Sequence, residues 1–171
     1  MEFARTALTG REACVLDAGC GTGILGEAVR TVCPALRLLV ECDFAHAMLE
    51  QNRRKLGSGV VAQVCGDLAA PPVRAGSMDA VLCLNVLPHL EDLDAGLKAL
   101  LGLLRPGGRI AAGHFMSSAR LNELHRTIGG PVGSDTLPGA EEMARRLRAL
   151  GARVVQAEEQ EERYFVLAFA P

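Results

Sequence analysis

The chain has no tryptophan, one tyrosine and five phenylalanines among 171 residues, so aromatics make up only 4%. A surface that stacks single-stranded nucleic acid needs more than that. An excess of positive charge is missing too. Eighteen Lys and Arg stand against 20 Asp and Glu, a formal net charge of −2, and a phosphate backbone attracts the opposite balance. No apolar run reaches the ~20 residues that cross a bilayer. The N-terminal MEFARTALTGRE has neither a long apolar core nor a small-residue cleavage site, so it does not read as a secretory signal. The chain is therefore expected to be cytoplasmic, with no nucleic-acid or membrane partner.

Paired cysteines are absent as well. Cys14, Cys20, Cys33, Cys42, Cys65 and Cys83 form no CxxC. Four of them (Cys14, Cys42, Cys65, Cys83) fall in or at the ends of apolar runs, where a free thiol behaves as a small buried hydrophobe. No clustered Cys and His ligands are visible, so no metal is expected. What remains is an ordinary globular composition, 49% hydrophobic and 22% charged. The length suits one domain over residues 1–171, large enough to bury roughly 70% of its unfolded surface without a staple.

Strand-length apolar runs alternate with helical patterns along the whole chain. Strands are predicted at Ala13–Asp17, Arg37–Asp43, Val60–Gly66, Asp79–Asn85 and Arg109–Phe115. Helices are predicted after Gly23, stopped by Pro34; over Ala45–Leu56, with Gly57 as C-cap; and over Glu91–Leu104, where Leu93, Leu97, Leu100, Leu101 and Leu104 make one stripe. Pro106-Gly107-Gly108 is expected to break the chain before the fifth strand. A short helix is expected around Ser118–Ile128, and a last one from Pro138 to Gly151, with acids early and arginines late. Two β-like runs, Arg153–Glu158 and Arg163–Ala170, suggest a closing hairpin. Such alternation gives a parallel sheet covered on both faces. In sheets of this kind the ligand lies beyond the carboxyl ends of the strands.

The first strand runs into Asp17-Ala18-Gly19-Cys20-Gly21-Thr22-Gly23. Glycines there let a ligand approach the backbone, and the following helix offers free N–H groups. The spacing is GxGxG; a dinucleotide fingerprint would put glycine where this chain has Ile24, and no GKS or GKT of a phosphate loop follows. Asp17 stands two residues before the first glycine. An ionised carboxylate repels a pyrophosphate but attracts the ammonium and sulfonium of S-adenosylmethionine (SAM). Asp17, Asp43 and Asp67 end the first three strands, which sets three carboxylates along one edge.

VLDAGCGTG at 15–23 resembles the first motif of class I SAM-dependent methyltransferases, of the small-molecule type. ECDFAHAML at 41–49 is similar to their second-strand motif, whose acid binds the ribose; here that acid is Asp43, with Glu41 the alternative. Gly66-Asp67 resembles the motif that contacts the adenine amine, SMDAVLCLNVLPHL at 77–90 the fourth-strand motif, and LRPGGRI at 104–110 the turn before the fifth strand. The resemblance covers about residues 13–170. It implies a Rossmann-like three-layer α/β/α sandwich with a seven-stranded, mostly parallel sheet in the order 3-2-1-4-5-7-6, strand 7 antiparallel. It implies cofactor contacts at Asp17, Gly19, Cys20, Gly21, Thr22, Gly23, Asp43, Phe44, Met48, Gly66, Asp67, Leu68 and Asn85. The implied reaction moves the SAM methyl group to a small-molecule acceptor and leaves S-adenosylhomocysteine. Two other readings suit the same residues: another SAM- or nucleoside-using transferase, such as an aminopropyl transferase, and a SAM-binding module without catalysis.

Some family features are missing. No NPPY or DPPY follows the fourth strand, where this chain has Asn85-Val86-Leu87-Pro88; that disfavours amino groups of DNA bases or glutamine as acceptors. The chain starts almost at the first strand, whereas many relatives carry a helical N-terminal extension over the substrate. Recognition of the acceptor is then expected from Met116–Leu137, a segment longer than the ~2–6 residues usual between elements. Its Gly129-Gly130-Pro131-Val132-Gly133 offers hinges, and His125, Arg126 and Asp135 offer polarity. For a general base, His114 at the end of the fifth strand and His125 are the candidates. His89 opens the helix after the fourth strand, where its ordinary role is to satisfy the local backbone. His46 is expected to be exposed.

Overall fold

The computed structural model describes residues 2–54 and 60–171. Its strands are β1 (Cys14–Ala18), β2 (Leu38–Asp43), β3 (Val61–Cys65), β4 (Met78–Leu84), β5 (Leu104–His114), β6 (Arg153–Gln160) and β7 (Arg163–Phe169). Its α-helices are α1 (Glu2–Ala7), α2 (Ile24–Val32), α3 (His46–Arg53), α4 (Leu93–Gly102), α5 (Ser118–Ile128) and α6 (Ala140–Ala149). The sheet order is β3-β2-β1-β4-β5-β7-β6, with β7 antiparallel to both neighbours. This is the Rossmann-like arrangement that the motifs imply. The expected C-cap Gly57 lies outside the described residues.

Continuous apolar runs such as Cys14–Ala18 suit central strands buried on both faces. Because side chains alternate along a strand, Val15 and Leu16 face opposite ways. Val15, Leu39, Leu82 and Phe165 pack beneath α1 and α2 with Ala4, Leu25 and Val29. Leu16, Val81, Ile110 and Val166 pack beneath α4 and α6 with Leu97, Leu100, Met143 and Leu147. The chain leaves β1 towards β2 on one side, while β4 pairs on the other. That reversal of strand order opens a crevice at the carboxyl edge.

Three features differ from the sequence reading. The chain does not enter β1 directly; α1 precedes it, held by the Phe3 ring edge-on to Phe165 at 5.8 Å and by buried Ala4 and Ala7. Pro106-Gly107-Gly108 does not end the pairing before β5 but forms an irregularity inside it: Met78 pairs with Leu104, and Ala80 next with Arg109. Cys65 is exposed rather than part of the core, whereas Cys20, Cys33, Cys42 and Cys83 are buried and Cys14 half-buried.

The segment after β5 is built around α5 and tied down at both ends. Glu159 of β6 accepts from the Ser118 N–H and hydroxyl, both at 2.6 Å, and from the Ala140 N–H at 2.9 Å. One carboxylate thus serves the first turns of α5 and α6, where free N–H groups favour an anion. Burial alone would raise the Glu159 pKa, but these donors outweigh it and hold the carboxyl below its usual range. At the other end the Asn122 amide donates to the Leu137 carbonyl at 3.0 Å and accepts from its N–H at 2.8 Å.

Candidate functional site

The turn after β1 is shaped by close approaches. The Gly19 and Cys20 N–H groups both donate to the Cys42 carbonyl, at 2.8 and 3.0 Å. At Gly19, φ +73, a Cβ would stand 2.2 Å from the Val86 side chain. At Gly21, φ +53, a Cβ would meet nothing within 4 Å: its space is open. The Gly21 N–H donates to Asp43 Oδ2 at 2.7 Å, and Asp43 Oδ1 accepts from the Ala45 N–H at 2.8 Å. The acid ending β2 therefore joins the glycine turn to the start of α3.

Above this turn lies a cleft of about 1020 Å³ at the carboxyl edge of β1 to β4. Of the residues singled out in the sequence, Gly19, Gly21, Asp43, Phe44, Met48, Asp67, Leu68 and Asn85 line it. Phe44 is 82% exposed on its wall, and Asp67 Oδ1 accepts from the Ala69 N–H at 2.8 Å. The others do not line it. Asp17 is buried, Cys20 turns its sulfur towards the Asn52 amide at 3.7 Å, and Gly23 caps α2. Gly66 packs against Pro72, and Thr22 stays within the turn. Not named as cofactor contacts in the sequence reading are Ala69 and, in the wall beyond β4, Val86, His89, Leu90, Glu91 and Asp92.

Around the cleft the buried polar atoms are acceptors without donors. Asp17 Oδ2 and Asn85 Oδ1 have no hydrogen-bond partner among the described residues. Asn85 is the one non-glycine residue among them at positive φ, +57, and such strain clusters at functional positions. Burial, then the charges of Glu41 and Asp43, push the Asp17 carboxyl up to about 8. Glu41 is fully buried, and its carboxylate accepts from Asn52 at 2.7 Å and from Gln63 at 3.4 Å. It lies behind the cleft wall, so of the two acids weighed for the ribose, only Asp43 borders the opening.

The histidines separate clearly. Burial, then the charges of His125 and His89, lower the His114 pKa to about 4, and its Nδ1 is buried without a partner among the described residues. A ring so weakly basic is a poor proton acceptor near neutrality. His125 is buried, and its Nδ1–H donates to the Asp135 carbonyl at 2.9 Å. Arg126 pairs with Glu123 on the exposed face of α5, and exposed His46 lies 3.8 Å from Glu50. His89 does not satisfy its local backbone. Its Nδ1 lies 2.6 Å from Asp135 Oδ2, across 46 positions of sequence, and its ring centroid is 5.6 Å from that of His125.

Comparison with known families settles the assignment. The profile described as "Methyltransferase domain" matches residues 16–112, more than half of the chain, from within β1 almost to the end of β5. The chain belongs to this methyltransferase family. A ubiquinone biosynthesis O-methyltransferase of Xanthomonas axonopodis pv. citri (strain 306) is 36% identical over 115 residues, 64% of this chain and 46% of that protein. This methyltransferase domain thus spans about half the length of the curated relatives it matches. The fold is shared with an S-adenosylmethionine dependent methyltransferase from Mesorhizobium loti, at TM-score 0.78 and 14% identity over 97% of this chain and 95% of that one. It is also shared with a SAM dependent methyltransferase from Aquifex aeolicus, at TM-score 0.75 and 19% identity over 93% and 82%. Among the described residues no helix is long and apolar enough to cross a membrane, and no group of three or more His, Cys, Asp or Glu could hold a metal ion.

Proposed function

We propose that residues 1–171 form one SAM-dependent methyltransferase domain that moves a methyl group to a small-molecule acceptor. The observation that carries this reading is the set of acceptor atoms around the cleft. Asp43 and Asp67 border it, and Asp17 Oδ2 and Asn85 Oδ1 are buried without donors among the described residues. SAM is a donor-rich cation, with an ammonium, a sulfonium, two ribose hydroxyls and an adenine amine, so this chemistry fits it. A pyrophosphate would face the carboxylates of Asp43 and Asp67. The curated relatives named as ubiquinone biosynthesis O-methyltransferases support a small acceptor.

In this reading Asp43 binds the ribose, Asp67 the adenine amine, and Asp17 with the glycine turn the amino-acid end. Gly21 leaves the space that a side chain would fill. When bound, SAM supplies an electrophilic methyl group on a sulfonium leaving group. The residues at the ends of β4 and β5 then align an acceptor and keep water out, and such alignment alone can lower a barrier by several kcal/mol. Titration calorimetry with SAM, followed by incubation with labelled SAM and fractionated metabolites, tests the proposal. Micromolar binding with label in a small product supports it, and no binding by the folded chain refutes it.

A further inference from the structure

The His89–Asp135 pair is out of keeping with its surroundings. Ion pairs at partly exposed sites contribute little to stability, and the His89 side chain is 44% exposed. Yet Asp135 is fixed twice, its carboxylate by His89 at 2.6 Å and its carbonyl by His125 at 2.9 Å. The pair joins the 3₁₀ turn after β4 (Leu87–His89) to the connection after α5. His89 also forms part of the wall shared by the cofactor cleft and a neighbouring groove of about 790 Å³, lined by Asn122, Ser134 and Thr136. A carboxylate can only accept, so Nδ1 carries the hydrogen and Nε2 is the ring nitrogen left for a ligand.

We propose that His89 is the general base of the transfer, oriented by Asp135, and that the acceptor atom is a phenolic oxygen. This rests on the methyl-transfer reading above. A neutral phenol is a weak nucleophile with an acidity near that of tyrosine, within reach of imidazole, whereas an aliphatic alcohol is far less acidic. Its O–H proton passes to Nε2 while the oxygen forms the new C–O bond. The C–S bond breaks, its electron pair stays on sulfur, and the products are the aryl methyl ether and S-adenosylhomocysteine. The imidazolium faces the Asp135 carboxylate and later gives its proton to water through its exposed edge. Asp135 is a positioning residue: it fixes the tautomer. The groups around the pair do not compete for the role. His125 is buried and lines neither the cleft nor the groove, and the His114 ring is only weakly basic.

The test begins with calorimetric SAM titration of wild type, His89→Gln and Asp135→Asn, so that turnover of each is compared at saturating SAM. Labelled SAM is then offered with catechol and a series of halo- and nitrophenols, with small amines and thiols as contrast. Label should enter phenols. His89→Gln should lower kcat about 100- to 1000-fold with little change in KM, in line with a general base. Its deficit should shrink as the phenol becomes more acidic and needs no base. Asp135→Asn should lose less, about tenfold. Long-range ¹H–¹⁵N spectra of the free protein should show His89 as the Nδ1–H tautomer, with mixed tautomers in Asp135→Asn. A deficit equal across the series would make the pair a mere latch and overturn the proposal. So would an Nε2–H tautomer, or transfer to amines or thiols, or to nothing offered, while SAM still binds. If wild type fails to bind SAM, the methyl-transfer reading itself fails.

Discussion

Asp17→Asn should make the ligand-free domain more stable and the cofactor site worse. The folded chain keeps a proton on Asp17 up to a pKa of about 8, against an ordinary 3.8. Between those values the folded state binds more protons than the unfolded one, so stability falls as pH rises through the window. The slope is about 1.4 kcal/mol per pH unit for one proton. By pH 7 the buried carboxyl costs about 4 kcal/mol, and between pH 5 and pH 7 it accounts for a drop of about 3 kcal/mol. Asparagine keeps the shape and removes the titration. Urea unfolding at the two pH values should therefore show the wild type losing about 3 kcal/mol more than the variant. Burial also raises the Glu41 pKa, but it acts in both proteins and leaves the difference. SAM binding should run the other way, since a cation needs the ionised form. Wild-type affinity should climb with pH towards about 8 and weaken sharply in Asp17→Asn. Parallel pH–stability curves for the two proteins would refute the reasoning.

Asp43→Ala should weaken SAM binding about ten- to a hundredfold, roughly 1.5–3 kcal/mol; unchanged affinity by calorimetry would remove Asp43 from the ribose. Because Asp43 also holds the Gly21 and Ala45 N–H groups, slower exchange-protected turn amides in wild type than in the variant should accompany that loss. Gly21→Val should fold, at a cost of about 1–2 kcal/mol for a left-handed branched residue, and should bind almost no SAM; normal affinity in the folded variant would contradict the role of the glycine turn. Replacing residues 129–134 by a short Gly/Ser linker, which spares Asp135, should keep SAM affinity and lose or broaden transfer. Unchanged turnover on the true acceptor would show that this segment does not cover the substrate.

The sheet was readable because its central strands are apolar runs closed by an acid, a glycine or a turn, and those punctuations report backbone geometry locally. The cofactor side was readable for the same reason: Asp17, the glycines and Asp43 lie at strand ends, and a strand end has a fixed place in such a sheet. What escaped was tertiary in origin. The six residues Glu2–Ala7 carry no strong periodicity, and their helix is held by Phe3 against Phe165. Pro106-Gly107-Gly108 reads as a break, yet Gly108 sits where a Cβ would strike the Arg105 carbonyl at 2.9 Å, so the residues serve a kink within the pairing. His89 finds its partner 46 positions away, a distance at which neither residue signals the other. Val86, His89 and Leu90 lie in the fourth-strand motif, but that they and Glu91 and Asp92 border the cleft depends on the turn after β4, which the motif does not report.

Glu159 and the Asn122–Leu137 clamp give the span between them a particular independence. Ser118 is rooted in β6, and Leu137 is stapled back onto α5, so residues 129–136 form a cassette with both ends moored to the frame. Lengthening such a cassette costs little, about 0.6 kcal/mol per doubling. Asp135 rides inside it. Any exchange of this stretch in evolution therefore alters the shape offered to the acceptor and the setting of His89 in a single event, while the glycine turn and Asp43 on the far side of the cleft keep their bonds.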